Sequence, residues 1–190
     1  MKKFILASAS PRRKKLLEQI GIDFKVTVSD VDESKIKEKD CRTLVKKLSY
    51  LKAKNVSKKT TGVIIAADTI VNLNGRILGK PKNYDEAYQM LSDLSGNKHQ
   101  VVTGITIIDG DNVLTDYKET TITFRELEEK EIEAYIATGS PMDKAGGYGI
   151  QDQGAIFVEE INGCFYNVMG LSLVKLVEML KKLGVKVSLS

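Results

Sequence analysis

The sequence predicts a mixed α/β fold in one domain spanning residues 1–190, with a single sheet and flanking helices. Three observations carry that prediction. Short apolar runs of strand length alternate with segments of helical apolar period. The longest two strands are consecutive and meet at the turn Asp109-Gly110, placing a hairpin in the middle of the chain. And 190 residues with 42% apolar content, no repeat and no linker can bury one full-sized core.

The elements follow in order. Phe4 to Ala7 reads as a short buried strand, and Ser8-Ala9-Ser10 turns the chain. Pro11 then takes the first helical position with Ser10 as N-cap. Leu16, Leu17 and Ile20 form the apolar stripe of this helix, which Gly21 ends. Phe24 to Val28 alternates as a strand, and a helix over about Arg42 to Lys58 buries Leu44, Val45, Leu48, Leu51 and Val56. Val63 to Ala67 is the most apolar strand and ends at Asp68. Thr69 to Leu73 and Arg76 to Leu78 form a hairpin across Asn74-Gly75. Asp85 to Leu94 is helical, with acids in its first turn and Gly96 beyond its end. The long strands run from about Gln100 to Ile108 and Val113 to Phe124. Glu128 to Thr138 is helical, Gly139 to Gly154 is a loop, Ala155 to Glu160 a strand, and Leu171 to Leu183 a final amphipathic helix.

Composition narrows the chemistry. The apolar run after Met-Lys-Lys is too short for a signal peptide, and no later run approaches membrane-spanning length, so a cytosolic protein without a membrane role is expected. A net charge of +4 suits an anionic small molecule and gives little support for nucleic acid. Cys41 and Cys164 lack the spacing of a zinc cluster or a disulfide framework. His99 is the only histidine, so catalysis must lean on carboxylates, lysines and arginines.

Four segments carry candidate chemistry. Ser8-Ala9-Ser10-Pro11-Arg12-Arg13-Lys14-Lys15 joins a hydroxyl-rich turn to a helix start, where free N–H groups favour anions. Its four cations oppose the helix dipole, a broken local rule that a bound polyanion relieves, although a solvated basic face has the same composition. Asp68 places a carboxylate at a strand end, where α/β proteins often put ligand groups, or where it could cap a turn. Glu33 is a second carboxylate for a magnesium-type site, with Asp30 and Asp32 as rivals. Lys52 and Lys80 are cations without a Walker spacing. The fourth segment is the loop around Asp143 to Gln151, which holds Gly146, Gly147 and Gly149. Glycines there allow backbone to approach a ligand. Arg13 and Lys80 have no apolar partner in sequence, so their loss is expected to cost on the order of 0.5 kcal/mol or less.

Together these stretches resemble the Maf family of nucleotide pyrophosphatases, a sister of the inosine-triphosphate pyrophosphatase fold. The match runs through Leu6-Ala7-Ser8-Ala9-Ser10-Pro11-Arg12-Arg13, Lys52-Ala53, Ala67-Asp68-Thr69-Ile70-Val71 and Gly79-Lys80-Pro81. It continues through Leu94-Ser95-Gly96 with His99, Asp143-Lys144-Ala145-Gly146, Gly149-Ile150-Gln151 and Asn167-Val168-Met169-Gly170-Leu171. The resemblance implies hydrolysis of dTTP and UTP to monophosphate and pyrophosphate, with Asp68 as proton acceptor. It also implies a divalent cation (Mg, Mn or Co) at Glu33 and Asp68, and base selection by Arg12, Thr69 and Gln151. Ser8, Ser10, Arg13, Lys52 and Lys80 are implied to bind the substrate, and a homodimer is implied. The sequence departs from the family pattern at Ser140, where glutamate is usual, at Asp152, where glycine is common, and at Cys164 and Ser172. Two other functions remain open at this stage, a 7-methyl-GTP pyrophosphatase and a nucleotide-binding regulator of cell division. Thr69 after the aspartate favours the pyrimidine branch.

Overall fold

The computed structural model describes residues 2–187. One mixed sheet with flanking helices forms, as the periodicity predicts. Its strands are β1 (Phe4–Leu6), β2 (Phe24–Val26), β3 (Val63–Leu73), β4 (Arg76–Leu78), β5 (Lys98–Asp109), β6 (Asn112–Phe124) and β7 (Val158–Asn162). The strand order is β2-β1-β3-β5-β6-β7, with β4 paired to β3. β1 runs parallel to both β2 and β3, while β3–β4 and β6–β7 are antiparallel. The helices are α1 (Pro11–Gln19), α2 (Cys41–Ser57), α3 (Tyr84–Leu94), α4 (Glu129–Ala137), α5 (Phe165–Val168) and α6 (Leu173–Lys182).

Two compact units share the chain. The first holds residues up to Asp68, Thr103–Lys118 and the segment from Gly170; the second holds Thr69–Val102 and Glu119–Met169. In the first, Ile5, Ile64, Ala66 and Ile108 of the strands, with Ala7 just beyond β1, pack with Ala53 and Val56 of α2. These strand residues alternate along β1 and β3, so one sheet face is covered by the helix. α2 comes so close to β5 that a side-chain carbon at Gly104 would lie 2.2 Å from the Val45 carbonyl oxygen. Only glycine admits that approach. Asp40 caps α2, accepting from Thr43 N at 2.8 Å.

The core of the second unit gathers Val71, Leu73, Leu78, Ala87, Leu91, Leu94, Val101, Ile122 and Phe124 with residues of α4 and of the glycine-rich segment. His99, Phe124 and Tyr148 meet there edge to face, with centroids 4.7–5.4 Å apart, geometry that aromatic quadrupoles favour.

Two of the boundaries that differ from the sequence reading bear on the site. Val63–Ala67 and Thr69–Leu73 are one continuous eleven-residue strand, so Asp68 sits within β3 and not at a strand end. The polar pair Asp68-Thr69 interrupts the apolar run, but backbone pairing does not depend on side-chain polarity. Likewise, Gln153–Phe157 is a 3₁₀ turn and the strand begins at Val158. Asp152 caps that turn by accepting from Gly154 N at 3.0 Å, which keeps the apolar Ala155-Ile156-Phe157 out of the strand.

Candidate active site

The turn after β1 is built around the Ser8 hydroxyl. It accepts from Ser10 N at 3.2 Å and from Arg13 Nη1 at 3.1 Å, and Ser8 is only 8% exposed. Ser10 caps α1, its Oγ lying 3.5 Å from Arg13 N, and Pro11 holds the first helical position. Arg13 Nε also donates to the Gly170 carbonyl at 2.8 Å. This corrects the expectation that Arg13 contributes little to stability, because its guanidinium ties α1 to the segment preceding α6. Burial lowers the Arg13 pKa from its ordinary value, and the nearby Asp68 carboxylate opposes that shift. Arg12 further lowers it, as a like charge must. No acid stands in the first turn of α1, so positive side chains surround a helix start that already favours anions.

Lys52 of α2 joins two carboxylates. Its Nζ is 2.5 Å from Asp68 Oδ1 and 2.9 Å from Glu33 Oε1. Asp68 is buried, whereas the Glu33 side chain is 51% exposed on the 3₁₀ turn Glu33–Lys35. Both rivals of Glu33 are engaged elsewhere. Asp30 pairs with Lys59 at 3.0 Å and with Asn55. Asp32 caps the Glu33–Lys35 turn, accepting from Ser34 N and Oγ at 3.2 and 2.6 Å. Of the three acids, Glu33 is the one placed against Lys52. Ser8, Ser10, Arg13, Glu33, Lys52 and Asp68 are thereby linked within the first unit by hydrogen bonds, ion pairs and the influence of Asp68 and Glu33 on Arg13. Arg12, half-buried, precedes Arg13 on α1.

Among the described residues no group of three His, Cys, Asp or Glu could enclose a metal. The donor set therefore does not suit a closed zinc site. Two carboxylates, one buried and one open to solvent, do suit a hard cation that also takes phosphate and water oxygens.

Thr69, half-buried, follows Asp68 on β3 and belongs to the second unit, as do Lys80 and Gln151, both exposed. The loop bearing Lys80 is fastened to the glycine-rich segment, where Gly146 N donates to the Gly79 carbonyl at 3.0 Å. That segment is ordered: it carries the 3₁₀ turn Ala145–Gly147, and Tyr148 and Ile150 are buried. His99 belongs to the core. It is 2% exposed, its Nε2 lies 2.8 Å from the Tyr148 hydroxyl, and burial brings its pKa down to about 4. A neutral imidazole engaged by tyrosine does not activate a serine.

The sequence reading assigned no role to Lys144, Asp152 or Tyr135, which form a polar cluster beside Gln151. The departures at Ser140 and Asp152 were the available signal.

The family described as Maf-like protein matches residues 3–183 of this chain. A dTTP/UTP pyrophosphatase of Clostridium botulinum (strain Kyoto / Type A2) is 49% identical, over 97% of this chain and 99% of its own. Another protein named dTTP/UTP pyrophosphatase, from Thermosipho africanus, is 49% identical over 94% of this chain and 92% of its own. Among solved structures, a HAM1 protein from Coxiella burnetii superposes with a TM-score of 0.53. It covers 96% of this chain and all of its own at 13% identity, a likeness of fold alone.

Proposed function

The chain belongs to the Maf-like protein family, and from that premise we propose that it hydrolyses dTTP and UTP to the monophosphate and pyrophosphate. The observation that carries the reading is the buried Asp68 carboxylate, held through Oδ1 by Lys52 with Glu33 alongside and the cations of α1 in the same unit. Its Oδ2 is the atom that accepts a proton from water. The water oxygen bonds to the α-phosphorus, the bond from that phosphorus to the α–β bridging oxygen breaks, and pyrophosphate leaves with the electron pair. Arg13 and Lys52 balance the charge gathering on the leaving phosphates, and Lys80 keeps the phosphate-contact role that the family resemblance implies. No covalent intermediate is required.

Glu33 and Asp68 would hold a divalent cation, which when bound neutralises phosphate oxygens. Arg12, Thr69 and Gln151 select the base. Uracil and thymine present an N–H beside a carbonyl, and the Gln151 amide carries both complementary groups, whereas cytosine reverses the donor pattern. In this reading the protein works in the cytosol as a homodimer.

The test is pyrophosphate release from a panel of nucleoside triphosphates with magnesium, manganese or cobalt, including UTP and 7-methyl-GTP in competition. dTTP and UTP are expected to give the highest kcat/KM, CTP the next and purines the lowest. A win for 7-methyl-GTP overturns the base assignment and leaves the reaction class. No metal-dependent release from any triphosphate overturns both and returns the binding-regulator reading.

A further inference from the structure

One carboxylate fastens the glycine-rich segment of the second unit. Asp152 Oδ1 accepts from the Tyr135 hydroxyl and from Gly154 N, each at 3.0 Å. Oδ2 accepts from Ser140 Oγ at 3.1 Å and lies 3.3 Å from Lys144 Nζ. A carboxylate offers about four acceptor sites, and four protein donors meet this one. Lys144 is 8% exposed and also donates to the Ser140 carbonyl at 2.6 Å and to Asp143 Oδ1 at 2.7 Å. The Tyr135 oxygen in turn accepts from Gly149 N at 3.0 Å. Burial pushes the Tyr135 hydroxyl up to about 12, so at neutral pH it keeps the proton it donates to Asp152. The ring is itself fixed edge to face on Phe157.

The consequence falls on the residue between these anchors. Gly149, Asp152 and Gly154 are all bound to the same cluster, and Gln151 lies between the first two with its side chain exposed. A side-chain carbon at Gly149 would come within 2.3 Å of Asp152 Oδ2 and 2.6 Å of Lys144 Cε. The ion pair packs directly on that backbone, which explains a glycine there. Ser140 and Asp152 are hydrogen-bonded to each other beside Lys144.

We propose that Asp152 is a positioning residue for base recognition. Its carboxylate neutralises Lys144 and locks the backbone that presents Gln151. The proposal rests on the reading of Gln151 as the base contact.

The experiment compares kcat/KM for UTP and for CTP in the wild type, Gln151→Ala, Asp152→Gly and Tyr135→Phe. Asp152→Gly is expected to lower the UTP-over-CTP ratio about tenfold, towards that of Gln151→Ala, because a loosened amide no longer penalises the wrong edge. An intact ratio in Asp152→Gly beside a collapsed one in Gln151→Ala overturns the positioning role and leaves the base contact standing. If Gln151→Ala itself leaves the ratio unchanged, the base contact is wrong and the proposal falls with it. Should Asp152→Gly fail to fold, Tyr135→Phe decides, since it removes only the hydroxyl that joins Asp152 to Gly149 N: a lowered ratio supports the role and an unchanged ratio overturns it.

Discussion

Lys52 and Lys144 are each set between two carboxylates at nearly equal burial, their side chains 13% and 10% exposed. What differs is how completely the protein satisfies them. Lys144 has Asp143, Asp152 and both oxygens of Ser140 around its ammonium. Lys52 has Asp68 and Glu33, and Glu33 is half open to solvent. A saturated ion cluster has nothing left to offer a ligand and acts on the chain around it. An ion pair with one open member keeps capacity for phosphate, water or a cation. Depth of burial alone would have ranked the two alike.

The largest effect that tests this contrast is expected at the open site. Asp68→Asn keeps the shape of the side chain but removes the proton acceptor, and kcat is expected to fall by about 10³. Nucleotide binding should stay within about an order of magnitude in the same preparation. Steady-state kinetics with a parallel binding titration provide the check, and near wild-type turnover would remove Asp68 from the chemistry.

Next come the lysines themselves. Lys144→Met takes the cation from Asp152 but leaves it the Tyr135, Ser140 and Gly154 donors, and is expected to cost about 2 kcal/mol of stability. Lys52→Met takes the ammonium from the buried Asp68 and is expected to cost about 3 kcal/mol, while kcat/KM drops about 10²-fold. Urea unfolding and kinetics on both variants measure the pair. An unchanged kcat/KM in Lys52→Met would erase the distinction between a structural and a functional lysine.

The smallest effect concerns acid. In the fold the His99 pKa is lowered from 6.5 to about 4, so between those values the unfolded chain binds a proton that the folded chain does not. Stability is therefore complete above about pH 6.5 and declines as pH falls towards 4, by about 1.4 kcal/mol per pH unit in that window. As the sole histidine, it gives an unambiguous NMR titration. An imidazole titrating near 6.5 would place it outside the core, and His99→Gln should flatten the acid slope of thermal melts.

Local signals in the sequence were strong where the chain interacts with its near neighbours. The Ser10 cap with Pro11 behind it, and the Asn74-Gly75 turn with both residues at positive φ, formed as expected. So did the long central hairpin. Where apolar content was the only guide, boundaries slipped. Asp68 interrupts a run that the ladder carries straight through, and Ile156, 64% exposed, belongs to a turn despite its strand-like setting.

By itself the sequence determined the element types, the hydroxyl turn that opens α1, and the set of carboxylates and cations from which a phosphate site could be drawn. Those follow from backbone preferences and side-chain chemistry within a few residues. The tertiary structure decided that Glu33, and not Asp30 or Asp32, meets Lys52, that Arg13 reaches the carbonyl of Gly170, and that Ser140 and Asp152 converge on Lys144. Charge pairing at such separations depends on where β3, α2 and the glycine-rich segment are brought by burial of their apolar faces, and a pattern of local periods holds no record of that distance.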